Sequence, residues 1–228
     1  AANSFLATKI SFINAMAEVC DRAGADVTAL AHAIGYDDRI GSKFLRAGLG
    51  FGGGCLPKDI RAFMARAGEL GVDDALSFLK EIDDINLRQR SRTTNAAVTM
   101  LGGAVNDKVI AALGAAFKPD SDDVRDSPAL DVAANLHLQG ANVRVYDPQA
   151  MANAAELFPT LDFVGSAIEA CADADLVLLL TEWKEFVALD PRELAERTAG
   201  RKILDARNVL DPVSWREAGW EYKGLGRP

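Results

Sequence analysis

The sequence predicts an α/β protein in two parts, an all-helical unit over residues 1–100 and a doubly wound parallel-sheet unit over residues 101–228. Three observations lead there. Apolar residues recur at three- and four-residue spacing up to about residue 100. The pattern changes at Gly102-Gly103. Beyond it, short apolar runs alternate with helical stretches, the arrangement of a parallel sheet covered on both faces.

In the first unit, Phe5, Leu6, Ile10, Ile13, Met16, Val19 and Cys20 predict a helix that Gly24 stops. Asp26-Val27-Thr28 opens a second helix through about Ile34. Residues 36–58 are glycine-rich and predict a long functional loop. Helix resumes at Asp59, and after a break at Gly71-Val72-Asp73 one long helix is expected from Gly71 to about Met100. The first helix starts with no cap, no charged lead-in and no start methionine, which is the expectation for a chain cut from something longer.

In the second unit, strands are predicted at 109–114, 142–147, 162–165, 175–181 and 202–207, with an edge strand at Trp220–Lys223. Helices are predicted at 127–140, 148–157, 166–173, 191–198 and 212–218; the first of these has Ser127 as cap and Pro128 at its first position. The whole reads as a Rossmann-like sheet.

Composition narrows the function. At 49% hydrophobic and 25% charged, the 228 residues are ordinary for a globular protein with real cores. A formal net charge of −8 argues against nonspecific nucleic-acid binding, so any phosphate ligand needs a local basic cluster. No apolar run reaches ~18 residues, so no membrane span is expected. With no signal-peptide pattern either, a cytoplasmic chain is expected. Three scattered cysteines do not make a disulfide framework or zinc cluster, and two histidines make a His-rich metal site or a Ser-His-Asp triad unexpected. No metal site is predicted. Cys20 and Cys171 lie on apolar helical faces and read as small core residues.

Cys55 is different. The string Gly52-Gly53-Gly54-Cys55-Leu56-Pro57-Lys58-Asp59 sets one thiol on a loop nearly free of side chains, an ammonium three residues on and a carboxylate four on. Consecutive glycines imply a positive φ or a close approach to the main chain. A thiol so placed is open to attack chemistry, and Lys58 favours its nucleophilic form. A glycine turn that simply contains a cysteine is the alternative.

GLGFGG at 48–53 matches the dinucleotide fingerprint in letters only, because no strand precedes it. The loop 113–129 does follow a strand and lead into a helix, where ligands of such sheets bind. It has one glycine where the fingerprint needs three, and it carries Lys118 and Arg125. These two side chains either reach a phosphate or pair with Asp120, Asp122 and Asp123, which read as a capping cluster rather than a metal site. Asp147 stands where a ribose-binding carboxylate would sit, but reads as a cap or turn residue.

The segments AANSFLATKISFIN (1–14), DDRIGSKFLRAGLGFGGGCLPKD (37–59), LGAAFKPDSDDVRDSPA (113–129), VYDP (145–148) and DARNVLDP (205–212) resemble the UDP-glucose dehydrogenase family, within the larger UDP-glucose/GDP-mannose dehydrogenase group. The resemblance runs over essentially the whole chain. It implies a central helical dimerisation region followed by a UDP-sugar-binding domain, without the family's N-terminal NAD-binding domain. It implies NAD as cofactor and a homodimer through the central helices. The implied activity is oxidation of the C6 alcohol of UDP-glucose to a carboxylate through a cysteine thioester.

Position by position, the resemblance makes Cys55 the nucleophile, Asp59 the carboxylate that positions water, and Asn3 the stabiliser of charge on the sugar oxygen. Phe44, Leu45, Arg46, Ala47, Gly48 and Gly52 match the loop around the UDP-sugar. Arg39 matches an arginine given to the neighbouring subunit's substrate, and Lys118 and Arg207 match substrate contacts. Lys58 and Arg125 match NAD contacts. Gly54 stands where many members have serine, and Ala206 where glycine is usual. The family's catalytic lysine falls before Ala1, so this chain alone is expected to be inactive. A sister enzyme acting on GDP-mannose or a UDP-N-acetylhexosamine is the second reading, and a non-catalytic nucleotide-binding and dimerisation module the third.

Overall fold

The computed structural model describes all residues, Ala1–Pro228. Helix α1 spans Ala2–Ala23 and ends at Gly24, whose φ of 67° is left-handed and whose N–H donates to the Cys20 carbonyl. Helix α2 spans Val27–Gly35 and is capped by Asp26, which accepts from the Thr28 N–H at 2.7 Å. Helix α3 spans Leu56–Glu69, and α4 spans Phe78–Met100.

Two expectations are corrected here. Helix α3 begins three residues before Asp59, so Cys55 is its cap residue and Pro57 lies in its first turn, where a missing N–H costs nothing. The stretch 71–100 is not one helix. Gly71 has φ 69°, Val72 is non-helical at φ −126° and ψ 30°, and a separate 3₁₀ turn at Asp73–Leu76 precedes α4.

The second unit is a six-stranded sheet in the order β3-β2-β1-β4-β5-β6. Its strands are β1 Val109–Leu113, β2 Asn142–Tyr146, β3 Asp162–Phe163, β4 Leu176–Leu179, β5 Lys202–Asp205 and β6 Glu221–Gly224. Every pairing is parallel. β6 is an edge strand, as expected. Between them lie α5 Pro128–Leu138, α6 Met151–Leu157, α7 Ala167–Cys171, α8 Lys184–Val187, α9 Pro191–Ala195 and α10 Pro212–Glu217. The one-turn α8 was not expected. Helix α6 is shorter than its apolar pattern because Asp147 first ties down the Gln149 and Ala150 N–H groups in a turn. Helix α7 stops short because Asp173 adopts φ 54°, and α9 ends at Ala195 rather than residue 198.

β4 is buried along its whole length and β1 at every residue after Val109, with Ile110, Leu113, Leu176 and Leu178 in one continuous core. Chain order reverses between these two strands, so the crevice beyond their carboxyl ends is the place where such a sheet binds ligands. Helix α1 packs along α4, and the Ser11 hydroxyl donates to the Ile82 carbonyl at 2.8 Å. Ties at both ends fix the helices to the sheet unit. Arg90 on α4 pairs with Asp126 at 2.8 Å and with Asp131. At the other end Gly226 accepts from the Val27 N–H at 2.8 Å and donates to Asp21 at 3.0 Å.

Candidate active site

The glycine loop is held by two asparagines buried in the helical unit. Asn14 on α1 accepts from the Gly48 N–H at 2.9 Å. Asn86 on α4 accepts from the Phe51 N–H at 2.7 Å and donates to the Phe51 carbonyl at 3.0 Å. Both are completely buried. The loop also adds to the sheet unit, since the Leu49 N–H donates to the Ala206 carbonyl at 2.9 Å and that of Gly53 to Arg125 at 2.8 Å.

This close docking explains the glycines. A Cβ on Gly48 would stand 2.8 Å from the Ala206 carbonyl oxygen. One on Gly52 would overlap the Asp126 carbonyl oxygen and stand 2.9 Å from the Pro128 ring. Gly53 has φ +82°, and Gly54 leaves room for the Arg125 guanidinium, 2.6 Å from where its Cβ would be.

The result is a cleft of about 290 Å³ between the two units. The glycine loop and α1 form one wall, and the ends of β1, β4 and β5 form the other through Phe117, Lys118, Glu182 and Arg207. Cys55 opens onto it and is the exposed cysteine; Cys20 and Cys171 are buried, as expected. Burial pushes the Cys171 thiol up to about 12 and raises that of Cys20. The N-terminus of the 14-residue helix α3 and the neighbouring Arg125 place positive potential at the Cys55 sulfur.

One turn along α3 from Cys55, Asn3 donates to Asp59 at 2.7 Å, and the Asp59 N–H makes the helical bond to the Cys55 carbonyl at 2.9 Å. Neither Asn3 nor Asp59 lines the cleft itself. Lys58 lies 3.6 Å from Asp59 and is largely exposed. Asn3, 56 residues before Asp59 in sequence, therefore meets the helix turn that carries Cys55, Lys58 and Asp59.

Of the predicted loop residues, Phe44, Arg46, Ala47, Gly48 and Gly52 line the cleft. Phe44 has φ 64°, an uncommon and strained conformation for a bulky residue, of the kind that clusters at ligand clamps. Leu45 departs from the expectation. Its side chain is buried with Ile13, Ala17 and Val27 and does not line the cleft. Arg39 lies outside the cleft, almost fully exposed and paired with Asp37 at 2.6 Å.

Arg207 is the buried cation of the cleft. It donates to Leu180 at 2.7 Å, Gly50 at 3.1 Å and Phe117 at 3.4 Å, and lies 3.3 Å from Glu182. It thereby joins the glycine loop to β1 and β4. Burial holds its guanidinium below the usual range; Glu182 opposes that shift and the charge of Arg46 adds to it. Lys118 is exposed over the Phe117 ring at 5.4 Å. Arg125 chelates Asp123, with its closest contact 2.7 Å, and hydrogen bonding from Arg125 holds the Asp123 carboxyl below its usual range. Arg46, Lys118 and Arg207 together suit a diphosphate.

Asn14, Asn86, Phe117 and Glu182 were missed from the sequence. Only Glu182 carried a usable signal, its position just past the carboxyl end of β4. Asn14 also leaves its buried Nδ2 without a partner at the cleft wall.

Asp147 is fully engaged in structure. It accepts from the N–H groups of Ala115 at 2.8 Å and Ala116 at 3.0 Å and from the Trp183 indole at 3.0 Å. Gly114 has φ 116° and its hydrogen faces Thr181, where a Cβ would stand 2.5 Å from that side chain's Cβ. The sheet of this chain therefore does not fit a dinucleotide. Lys58 and Arg125, exposed beside Cys55, fit the outer edge of one. No three His, Cys, Asp or Glu side chains group together as metal ligands. No helix is long and apolar enough to cross a membrane.

Residues 1–88 match the model of the central domain of the UDP-glucose/GDP-mannose dehydrogenase family, and residues 111–212 that of its UDP binding domain. A UDP-glucose 6-dehydrogenase of Rhizobium meliloti is 40% identical over 228 residues, which cover 100% of this chain and 52% of that protein. A solved UDP-glucose dehydrogenase from the archaeon Pyrobaculum islandicum superposes with a TM-score of 0.88 at 33% identity, covering 100% of this chain and 50% of that one. An NDP-N-acetyl-D-galactosaminuronic acid dehydrogenase from Methanosarcina mazei superposes with a TM-score of 0.83 at 27% identity, covering 99% of this chain and 49% of that one. The chain thus spans about half the length of the relatives it matches. With the fold, the paired domains and the cysteine-bearing glycine loop in agreement, this chain belongs to the UDP-glucose/GDP-mannose dehydrogenase family.

Proposed function

We propose that this chain forms the substrate-binding and thiol-bearing part of a dehydrogenase that oxidises UDP-glucose to UDP-glucuronate, with residues 1–100 as the dimerisation unit and 101–228 as the UDP-sugar-binding domain. The observation that carries this reading is that the only exposed cysteine and three cations line one cleft. The diphosphate lies against Arg46, Lys118 and Arg207, and the loop from Phe44 to Gly52 encloses the nucleotide-sugar. That placement leaves the hexose C6 near Cys55.

NAD, when bound, supplies the hydride acceptor for both two-electron steps; in this chain Lys58 and Arg125 would meet its edge. Cys55 Sγ adds to the C6 aldehyde carbon and holds that carbon until it is a thioester. Asn3 hydrogen-bonds the sugar oxygen as charge develops on it. Asp59, held by Asn3, orients the water that cleaves the thioester to the carboxylate and returns the thiol.

Phe5, Phe12 and Val19 form an exposed stripe on α1 at seven-residue spacing, 68%, 48% and 57% exposed. That stripe supports a homodimer through the central helices, and the same contact would bring the exposed Arg39 to a neighbour's substrate. A sister specificity remains a second reading, supported by the Methanosarcina mazei structure.

The test is twofold. Titration calorimetry with UDP-glucose reads binding by this chain, which alone should reduce no NAD. In the enzyme that also carries the NAD-binding domain, Cys55→Ala should abolish acid formation, and UDP-glucose should be preferred over GDP-mannose and UDP-N-acetylglucosamine. Retained turnover in Cys55→Ala would refute the thioester role.

A further inference from the structure

Glu182 is the one acidic side chain lining the cleft, among three cations. Its position is costly for a pure anion site, because a carboxylate beside the diphosphate repels what Arg46, Lys118 and Arg207 attract. Nor is it satisfied by the protein. Glu182 Oε2 is buried and accepts no hydrogen bond. Arg207 Nε lies 3.3 Å away but spends its N–H on the Leu180 carbonyl at 2.7 Å. Arg207 thus gives Glu182 a neighbouring charge without a proton to share. Oε2 itself is shut off from solvent, but the side chain as a whole is 26% exposed, so a ligand in the cleft reaches the carboxylate at its other oxygen, Oε1. Glu182 follows Thr181, whose hydroxyl is fixed on the Ala116 carbonyl at 2.7 Å, and this anchors the backbone that presents the acid.

A carboxylate is an acceptor only. What satisfies it is a donor, and UDP-glucose offers the hydroxyls of its two sugars and the uracil N3–H. Beside cations that take the diphosphate, the nearest of these are the hydroxyls of the sugars flanking it. We infer that Glu182 is a specificity-determining residue: it accepts a hydrogen bond from a hydroxyl of the bound sugar nucleotide, so that the cleft favours a diphosphate carrying sugar hydroxyls over a bare one. The inference rests on the sugar-nucleotide reading of the cleft and deepens it. The ligand offsets the charge repulsion only when it brings that hydroxyl, which turns an unfavourable group into a filter.

The test measures binding of UDP-glucose, UDP and inorganic pyrophosphate to the 228-residue chain, in wild type, Glu182→Gln and Glu182→Ala. Both variants should bind UDP-glucose about tenfold more weakly, as expected for losing a charge-assisted hydrogen bond. Both should bind pyrophosphate several-fold more tightly, because the repelling charge is gone. UDP locates the donor: UDP binding that holds or tightens places it on the hexose, and parallel weakening of UDP places it on the uridine. If UDP weakens in parallel yet 2′-deoxy-UDP and 3′-deoxy-UDP both bind wild type as well as UDP does, the donor is the uracil N3–H and the hydroxyl assignment is overturned. Equal weakening of all three ligands would overturn the inference, since that is what loss of Arg207 positioning alone produces. Unchanged binding of all three would overturn it as well. Failure of the wild type to bind UDP-glucose would instead sink the sugar-nucleotide reading itself.

Discussion

Replacing Gly52 and Gly54 separately by alanine or serine asks whether the glycine loop is held by backbone or by side chains. A Cβ on Gly52 would overlap the Asp126 carbonyl oxygen and lie 2.9 Å from the Pro128 ring and 3.0 Å from the Asp126 carbonyl carbon. All three belong to rigid structure at the start of α5, which cannot swing aside. Overpacking of this kind costs about 1–3 kcal/mol, and this contact belongs at the upper end. Reduced freedom of the unfolded chain returns about 0.4–1 kcal/mol. Gly52→Ala is therefore expected to lose about 2 kcal/mol, a fall in Tm of about 4–8 °C for a chain of this size. At Gly54 a Cβ would meet only the Arg125 guanidinium, at 2.6–2.8 Å. That group is the far end of a 71% exposed side chain and moves away readily. Gly54→Ser is expected to stay within about 0.5 kcal/mol of wild type. Thermal unfolding gives the stabilities, and the alkylation rate of Cys55 reports whether the thiol has shifted. Equal destabilisation by the two substitutions, or a neutral Gly52→Ala, would refute the close docking of loop on sheet.

Three further outcomes follow from the same geometry. Asn86→Ala strands the buried N–H and carbonyl of Phe51 and should cost about 2–4 kcal/mol, read by chemical denaturation; a loss under ~0.5 kcal/mol would contradict the clamp. Burial opposes ionisation of Asp26, but hydrogen bonds from Thr28 and the Arg227 cation outweigh it and hold the carboxyl below its usual range. Its contribution is therefore present above about pH 4 and lost as pH falls through the lowered value, so the stability gap between wild type and Asp26→Asn should close in acid. A gap that widens in acid would reverse that assignment. If the proposed homodimer packs through the exposed stripe of α1, Phe12→Glu should sediment as a monomer where the unsubstituted chain sediments as a dimer, and an unchanged dimer would move the interface off α1.

The two-part architecture was legible because its signals are local: helical spacing up to Met100, alternating short runs after Gly103, Ser127-Pro128 at a helix start. Cys55, Lys58 and Asp59 were legible for the same reason, being near one another in the chain. Asn14 and Asn86 were not, because a polar residue on a helix looks the same whether it faces water or a loop 34 or 35 residues away. Glu182 and Arg207 meet only after two strands align side by side. The break at Gly71 was visible, but the 3₁₀ turn after it was not, since its apolar spacing continues the helical pattern. Leu45 was assigned to the ligand with its neighbours, but its side chain is buried with Ile13, Ala17 and Val27, while Phe44, Arg46 and Ala47 line the cleft.

Alkylation of Cys55 in the presence of ligand tests most directly whether thiol and sugar nucleotide share one cleft. Of the three cysteines, only Cys55 is exposed, so native labelling reports it alone. Saturating UDP-glucose should slow that labelling by about tenfold or more, as burial of the sulfur under a bound sugar requires. Labelling at an unchanged rate in saturating UDP-glucose would contradict the account.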